Sequence, residues 1–368
     1  MGFRCGIVGL PNVGKSTLFN ALTSTAAADA ANYPFCTIEP NVGKVSVPDD
    51  RLNNIAKIAG SAQIIPTTLE FVDIAGLVKG ASQGQGLGNQ FLGHIREVEA
   101  IVQVVRCFDS GDILHVEGEV NPIRDIEIID TELTLADLES VEKRIPNMEK
   151  KLKGAKDPDL LEQLDLLKRV LTVLETGHPA RETVLKDERE AQLMKQLQLL
   201  TSKPIVYVCN VAEQDAATGN ALSQKVSEYA QQQGSSSVVI SAATEAEVAQ
   251  LPSPEEKTEF LQAIGLSSTG LARVIQAGYG LLDLITYFTA GPKEARAWTI
   301  KRGTKAPQAA GEIHGDFERG FICAETIAYD DYIACNGEHG AKTAGKARQE
   351  GRDYSVSDGD IFHFRFNV

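Results

Sequence analysis

The segment Gly9-Leu-Pro-Asn-Val-Gly14-Lys15-Ser16 carries the clearest chemistry in the sequence. It fits the pattern G-x-x-x-x-G-K-[ST] at every fixed position, with a predicted strand before it and a predicted helix after it. Backbone N–H groups in such a turn, together with the positive end of the following helix, bind phosphate oxygens. Lys15 is expected to neutralise β- and γ-phosphate oxygens, and the Ser16 hydroxyl is expected to ligate Mg²⁺. The residues expected to contact the nucleotide here are Asn12, Val13, Gly14, Lys15, Ser16 and Thr17.

A second phosphate-linked pattern, D-x-x-G, ends an apolar strand at Asp73-Ile-Ala-Gly76. Asp73 is expected to hold Mg²⁺ through a water molecule, and the Gly76 N–H is expected to sense the γ-phosphate. Five glycines between positions 76 and 88 are costly to order, which favours a mobile switch over a rigid loop. Between the two motifs, Thr37 is the predicted second protein ligand of Mg²⁺; without its neighbours it would be an ordinary loop threonine.

The segment Asn210-Val-Ala-Glu213 follows an apolar strand, at the place where GTPases usually carry N-K-x-D. The aspartate of that motif accepts two hydrogen bonds from guanine and would repel the N1 acceptor of adenine. Here Val211 replaces the lysine, and Glu213 carries its carboxylate on a side chain one methylene longer than aspartate. The aspartate that selects guanine is therefore missing. Asn210 and Val211 are therefore predicted base-pocket residues, with Ser241 and Ala242 on the far side. The alternative is that Asn210 only ends a strand in a turn.

These motifs need a sheet and helices to position them, and the chain is long enough to supply both. A length of 368 residues suggests roughly two to three domains, and 43% hydrophobic residues can form a sizeable core. Short apolar runs alternate with helical patterns in residues 1–130 and return in residues 201–282. This pattern predicts an α/β NTPase domain with a mostly parallel sheet. Residues 283–368 are rich in Gly and β-formers, which predicts a small third domain of mixed α+β type.

Residues 131–200 separate the sheet strands and are predicted to form an antiparallel helical hairpin. Apolar residues recur there at alternating spacings of three and four on both sides of the turn Gly154–Pro158. Pro146 is expected to kink or interrupt the first arm. Each apolar seam is shorter than the roughly three to four heptads that favour a coiled-coil dimer, so a monomer is predicted.

Charge and cysteine content limit the partners and the compartment. The formal net charge is −14, so contact with RNA would require a local basic patch. Two basic runs, Lys293–Lys305 and Lys342–Arg352, are candidates for a ribosome-binding patch, with solvated surface charge as an equal alternative. No apolar stretch is long enough to span a membrane, and no signal peptide is expected. Six widely spaced cysteines favour reduced thiols in a cytoplasmic protein.

Several of these segments resemble the Obg-related branch of the translation-factor NTPases. Asp73–Ala81 and Gly86–Arg96 are similar to that branch, and Asn32–Asn41 closely resembles its YchF (Obg-like ATPase) members. The likeness covers essentially the whole chain. The segments similar to TGS domains, which are small β-grasp modules, are Arg302–Ala306, Glu312–Asp316 and Asp358–Asp360. The resemblance implies an NTPase that acts at the ribosome, and in this family the altered base motif accompanies a preference for ATP.

The catalyst of hydrolysis is not given by the motifs alone. Ras-like enzymes place a water-orienting glutamine directly after D-x-x-G, whereas Leu77 stands there and cannot polarise water. Slow intrinsic turnover is therefore expected unless another group contributes. The family resemblance points to His115, whose alternative role is packing among its apolar neighbours. Asn12 is similar to the asparagine of GTPases that use K⁺ in place of an arginine finger, so K⁺ is a candidate activator.

Together these features predict a Mg²⁺-dependent P-loop ATPase that hydrolyses ATP to ADP and acts as a nucleotide-controlled switch. It is expected to bind the ribosome through its TGS-like and helical domains. Three alternatives stay open: an Obg-type GTPase, an ATP-gated adaptor with negligible hydrolysis, and a small-molecule P-loop kinase. The kinase is disfavoured because it would need an acceptor pocket and a lid in place of the glycine-rich switch.

Overall fold

The computed structural model describes residues 3–30, 41–74, 87–109, 116, 118–154 and 157–367. Within them the chain forms two compact units. The first contains Met1–Lys44 and Glu70–Gly278, and the second contains Val45–Leu69 and Tyr279–Val368. The helical insert predicted as a separate domain falls within the first unit, and residues 45–69, predicted to belong to the NTPase domain, fall within the second; the three-domain division stays a prediction.

The strands, numbered along the chain, are β1 (Arg4–Val8), β2 (Val42–Ser46), β3 (Gln63–Ile65), β4 (Thr68–Asp73), β5 (Ala100–Arg106), β6 (Ile205–Asn210), β7 (Ser236–Ile240), β8 (Leu284–Ala290), β9 (Glu294–Lys301), β10 (Phe321–Ile327), β11 (Arg348–Glu350) and β12 (Ile361–Phe366). The α-helices are α1 (Lys15–Ala30), α2 (Asp50–Ala59), α3 (Leu87–Glu97), α4 (Pro122–Leu152), α5 (Pro158–Glu175), α6 (Glu188–Leu197), α7 (Ala221–Gln232), α8 (Ala242–Gln250), α9 (Pro254–Ala263), α10 (Gly270–Leu281), α11 (Ala306–Ile313), α12 (Gly315–Arg319), α13 (Tyr329–Ala334) and α14 (Glu338–Thr343).

The first sheet has the strand order β2-β4-β1-β5-β6-β7. Strand β1 lies parallel to β4 and β5, and β6 lies parallel to β5 and β7. Every residue of β5 and β6 is buried, as expected for parallel strands whose two faces are both covered. The predicted α/β fold of the P-loop NTPase type is confirmed. The parallel arrangement brings the carboxyl ends of β1, β4 and β6 to one edge of the sheet, where ligands bind in such folds.

The helical insert is built on α4 and α5, which share an apolar core as the predicted seams require. That core contains Val141, Ile145, Leu164, Leu167 and Leu174. Helix α6 adds Met194 and Leu197 to the same cluster. The antiparallel hairpin is therefore confirmed, and it begins with a capped proline: the Asn121 side chain accepts a hydrogen bond from the Arg124 N–H ahead of α4.

Of the two outcomes expected at Pro146, an interruption of the first arm is wrong, and a kink stays a prediction. Helix α4 continues through Pro146 to Leu152. Pro146 and Glu142 both lie on the exposed face, so water can bond the Glu142 carbonyl that a proline leaves without its helical donor. One residue further along, the Asn147 side-chain amide donates to the Lys143 carbonyl at 2.9 Å.

The second unit is organised around a mixed sheet of order β11-β10-β12-β8-β9-β3. Strands β8 and β9 form an antiparallel pair, β10 pairs antiparallel with β12, and β12 runs parallel to β8. Helix α11 supplies buried alanines to the aromatic core of this sheet, which completes the predicted β-grasp arrangement. Residues 45–69 join this unit because α2 buries Leu52, Ile55 and Ala56 in the same cluster as Phe288 and Ala297.

None of the helices in the described parts of the chain combines the length and apolarity that a membrane span needs.

Candidate nucleotide site

The phosphate-binding loop lies between β1 and α1, as the motif predicts. Gly14 has φ +92°, and a Cβ atom there would come within 2.2 Å of the Asn210 side-chain nitrogen. Asn12 also adopts a left-handed backbone conformation, with φ +63°. The loop is thus wrapped tightly enough that only glycine fits at position 14. Such a turn exposes consecutive N–H groups to a ligand at the start of α1.

Lys15 and Asp73 converge at the mouth of this loop. Their side chains form an ion pair, and the Lys15 side chain is buried. Asp73 lies at the end of β4, where it is the register partner of Ile7 in β1. The residue that would bind phosphate and the residue that would bind the metal therefore share one site. That outcome follows from the parallel pairing of their strands.

The donor set at this site fits Mg²⁺. Ser16 and Thr17 are exposed in the first turn of α1, directly after Lys15, which pairs with the carboxylate of Asp73. Hydroxyl and carboxylate oxygens are the hard ligands that Mg²⁺ prefers, completed by water and phosphate oxygens rather than by a protein cage. In the described residues, no group of three or more His, Cys, Asp or Glu side chains could hold a metal ion by itself.

Asn210 braces the loop, a role that goes beyond the expected base contact. Its side-chain nitrogen donates to the Val13 carbonyl at 2.9 Å, and its side-chain oxygen accepts from the Ala242 N–H at 2.9 Å. Both polar atoms of this buried side chain are therefore engaged by the protein. The prediction that Asn210 belongs to the nucleotide site stays a prediction, but its contacts here are those of a positioning residue.

The other predicted base-pocket residues lie close to this brace along the chain. Val211 is buried, and its N–H donates to the Ile240 carbonyl at 2.8 Å. Ser241 is buried at the start of α8, where its hydroxyl accepts from the Thr244 N–H at 3.3 Å. Glu213 is exposed in a short 3-10 helix, Glu213–Asp215. The Glu213 carboxylate, the only one in the segment Asn210–Glu213, is thus fixed neither by a capping hydrogen bond nor by burial.

Four residues of the sequence hypothesis lie outside the described residues: Thr37, Gly76, Leu77 and His115. The second metal ligand, the γ-phosphate sensor and the water-positioning histidine therefore stay predictions.

Sequence reasoning missed a second asparagine that holds the loops around the base side of the site. The Asn220 side-chain nitrogen donates to the Cys107 carbonyl and to the Asp215 carboxylate, both at 2.8 Å. Its oxygen caps α7, and Ser223 completes the reciprocal capping box. The available signal was the N-cap pattern Asn220…Ser223 ahead of a helix. The reach to Cys107, more than a hundred positions earlier, had no sequence signal.

Lys203 is a second missed residue, and it fixes the end of the helix that follows the glycine-rich segment. Its ammonium group donates to the Arg96 carbonyl at 3.0 Å and also to the Val98 carbonyl, at the carboxyl end of α3. Burial lowers the pKa of Lys203. A cation at this position satisfies terminal carbonyls and opposes the negative end of the helix dipole.

The cysteines near the site are thiols in the described structure. Cys5, Cys107 and Cys209 are buried and free. The hydrogen bond with Cys209, together with burial, raises the pKa of Cys107 far above its ordinary range. Such thiols are poor nucleophiles, so they contribute packing rather than chemistry.

The two basic runs of the second unit are largely neutralised by local ion pairs, which weakens the expectation of a general basic patch. The pairs formed by their cations are Arg302–Asp283, Lys305–Asp353, Lys342–Glu325, Lys342–Glu338, Lys346–Asp331 and Arg348–Glu350. Lys293, Arg296 and Arg352 differ, because the described residues give none of these side chains an acidic partner; Arg352 donates instead to the Phe321 carbonyl.

Comparison with known proteins gives whole-chain matches. Residues 4–136 match a family described as 50S ribosome-binding GTPase, and residues 284–367 match the YchF GTPase C-terminal family, described as a protein of unknown function. The chain is 56% identical over 368 residues to the Haemophilus influenzae protein named ribosome-binding ATPase YchF, covering 100% of both chains. It is 54% identical over 370 residues to the Bacillus subtilis protein of the same name, again covering 100% of both.

A solved structure, that of the Schizosaccharomyces pombe YchF GTPase, superposes with a TM-score of 0.89 at 40% identity, covering 99% of this chain and 98% of that one. The match includes both units and the helical insert between β5 and β6. With full-length relatives above half identity and a P-loop, D-x-x-G strand and altered base motif in place, this chain belongs to the YchF family of P-loop NTPases.

Proposed function

We propose that this protein is a Mg²⁺-dependent ATPase that binds the ribosome and changes state with its nucleotide. The observation that carries the chemistry is the convergence of Lys15 and Asp73 at the mouth of the glycine-rich loop. The bacterial relatives at 54–56% identity are named ribosome-binding ATPases. A P-loop protein of this type transfers the γ-phosphoryl group to water and gives ADP and phosphate.

Each residue at the site has a proposed part in that reaction. Loop N–H groups and Lys15 hold the β- and γ-phosphates, and Ser16 with Thr37 ligates Mg²⁺, which Asp73 contacts through water. Bound Mg²⁺ neutralises charge on the phosphate oxygens. The Gly76 N–H responds to the γ-phosphate, and His115 positions the attacking water because Leu77 cannot. K⁺ beside Asn12 is a candidate activator, and turnover without the ribosome is slow.

The choice of base rests on Val211 and Glu213. Guanine needs paired acceptors for its N1–H and 2-amino groups, and an enclosed donor without an acceptor costs about 1–3 kcal/mol. Val211 offers no polar atom, and the Glu213 carboxylate is exposed rather than fixed against a base. ATP is therefore preferred. Because the Schizosaccharomyces pombe relative is named a GTPase, the preference for ATP needs a direct comparison of ATP and GTP.

Calorimetric titration with ATP and GTP at equal Mg²⁺ tests this preference. The wild type should bind ATP at least about fivefold more tightly, the factor that one unsatisfied donor implies. The double variant Val211→Lys with Glu213→Asp should shift the ratio towards GTP. Lys15→Ala serves as the control, since it should weaken both nucleotides equally. Tighter binding of GTP by the wild type would contradict the assignment and favour an Obg-type GTPase.

The ribosome is the proposed macromolecular partner, with the β-grasp part of the second unit and the helical insert as contact surfaces. The protein is proposed to act as a monomer in the cytoplasm. ATP turnover measured with and without ribosomes separates the enzyme from an ATP-gated adaptor. Stimulated turnover supports the enzyme, and turnover that stays negligible under both conditions favours the adaptor.

A further inference from the structure

We propose that an aromatic groove in the second unit binds unstacked bases of single-stranded RNA, an inference that rests on the proposed ribosome-binding function and names the chemistry of one contact. The groove has a volume of about 690 Å³. Its aromatic side chains are Trp298, Phe317, Phe362, Phe364 and Phe366.

Secondary structure from distant parts of the sequence builds the groove. Phe362, Phe364 and Phe366 alternate along β12, so they lie on one face of that strand. Phe366 stacks on Phe317 with ring centroids 3.9 Å apart, yet it remains 39% exposed. Phe362 and Phe364 are buried and form the floor. An open, already stacked aromatic pair above a rigid floor is a surface on which a planar base can continue the stack.

Trp298 forms the opposite side and is fixed in orientation. Its indole N–H donates to the Thr289 hydroxyl at 2.9 Å, which ties β9 to β8. The Arg296 guanidinium lies over the indole ring, 4.0 Å from its centroid. Arg296 and Trp298 share one face of β9, so the groove ends in a cation stacked on an aromatic ring. Guanidinium planes and aromatic rings are the groups on which proteins stack single-stranded bases.

The charges at the groove suit a phosphate backbone. Five cations of the two basic runs, Arg302, Lys305, Lys342, Lys346 and Arg348, form ion pairs, whereas Lys293 lines the groove and its side chain has no partner among the described residues. Arg296 likewise stacks on Trp298 without an acidic partner. Among the lining residues Lys293 is the one Lys or Arg side chain and Glu294 the one carboxylate, and Arg296 adds a second cation beside the lining residue Trp298. Lys293 and Arg296, two cations of the first run for which the described residues offer no acidic partner, thus border the aromatic surface.

An apolar peptide fits this groove less well than RNA does. Strand addition, the common way to bind a peptide, needs a free sheet edge. Here β12 and β8 are interior strands, and the outer side of β9 is occupied by β3 through Gln63–Ile65. The lining is also aromatic rather than aliphatic, and it carries cations. Aromatic stacking combined with a cationic border is the pattern of single-strand binding sites.

Trp298 makes the inference directly measurable, because it is the only tryptophan in the chain. The full-length protein should show saturable quenching of tryptophan fluorescence when titrated with a short oligouridylate. Phe366→Ala should weaken binding by about fivefold or more, the effect of losing one base–aromatic stack. Lys293→Ala should weaken binding and reduce the salt dependence by about one ion. Lys225→Ala, which removes an exposed cation on α7 in the first unit, should change neither.

Other outcomes overturn the proposal. Equal quenching by inorganic polyphosphate would mean that only phosphate is bound. Quenching by an apolar peptide but not by oligouridylate would favour a protein partner. Phe366→Leu keeps the apolar volume without the ring, so wild-type binding by this variant would also contradict stacking. ATP turnover and ribosome co-sedimentation of the same wild-type preparation distinguish failure of the groove inference from failure of the proposed function. If turnover and co-sedimentation are both observed while no oligonucleotide binds, the groove inference fails and the proposed function stands.

Discussion

The nucleotide site of the first unit and the aromatic groove of the second bind their ligands by opposite means. The loop before α1 uses backbone N–H groups, a lysine and a carboxylate, and its shape depends on left-handed residues such as Gly14. The groove uses side-chain rings from β9, α12 and β12, with charge only at its border. The comparison shows that a contiguous polar loop can be recognised from residue spacing, whereas a surface of stacked rings exists only after distant strands have paired.

The largest expected effect concerns Lys15, and it tests whether the two sites are independent. Lys15→Ala removes the cation that meets developing charge on the phosphates, so kcat should fall by about 100- to 1,000-fold. Quenching of Trp298 by oligouridylate should stay at its wild-type value. Turnover assays and fluorescence titrations on one preparation check both statements. Loss of both activities together would indicate a folding defect or a coupling of the two sites.

His115→Ala comes next, and it separates catalysis from binding within the first unit. If this histidine positions the attacking water, kcat should fall by roughly 100-fold. The affinity for ATP should change little, because the histidine is not expected to contact the ground-state phosphates. Steady-state turnover and calorimetry on the same variant provide the two values. An unchanged kcat would return His115 to a packing role.

A smaller effect is expected for Asn210→Ala, which tests positioning against base recognition. The change leaves the Val13 carbonyl and the Ala242 N–H without partners, and each such buried group costs about 1–3 kcal/mol. Affinity for ATP and GTP should therefore fall by a similar factor of about ten, and thermal stability should fall with it. Asn210→Asp keeps the acceptor for the Ala242 N–H but faces the Val13 carbonyl with a second acceptor and buries a negative charge, so it should bind both nucleotides no better than Asn210→Ala. A changed ratio of ATP to GTP affinity would instead identify Asn210 as a base-reading residue.

The elements of the first unit were predictable because their signals are local. The apolar strand expected to end at Asp73 is β4 (Thr68–Asp73), and the apolar seams of the insert form the shared core of α4 and α5. Pro146 is the exception, because the interruption expected there does not occur. Its helix face is exposed, so water can bond the Glu142 carbonyl and offset the missing helical hydrogen bond. Strand β2 and helix α2 were not predicted, and α2 lies in the second unit because its apolar face is buried there.

By itself the sequence determined the phosphate-binding loop, the strand that ends at Asp73 and the departure from the guanine motif at Val211 and Glu213. Each depends on residue types at fixed spacing within one short segment. Only the tertiary structure decided that Asn210 holds the loop through Val13 and that neighbouring carboxylates neutralise most of the basic runs. Val13 lies 197 positions from Asn210, and Lys305 pairs with Asp353 from a distant loop, so strand pairing and packing create contacts for which the sequence carries no periodic signal.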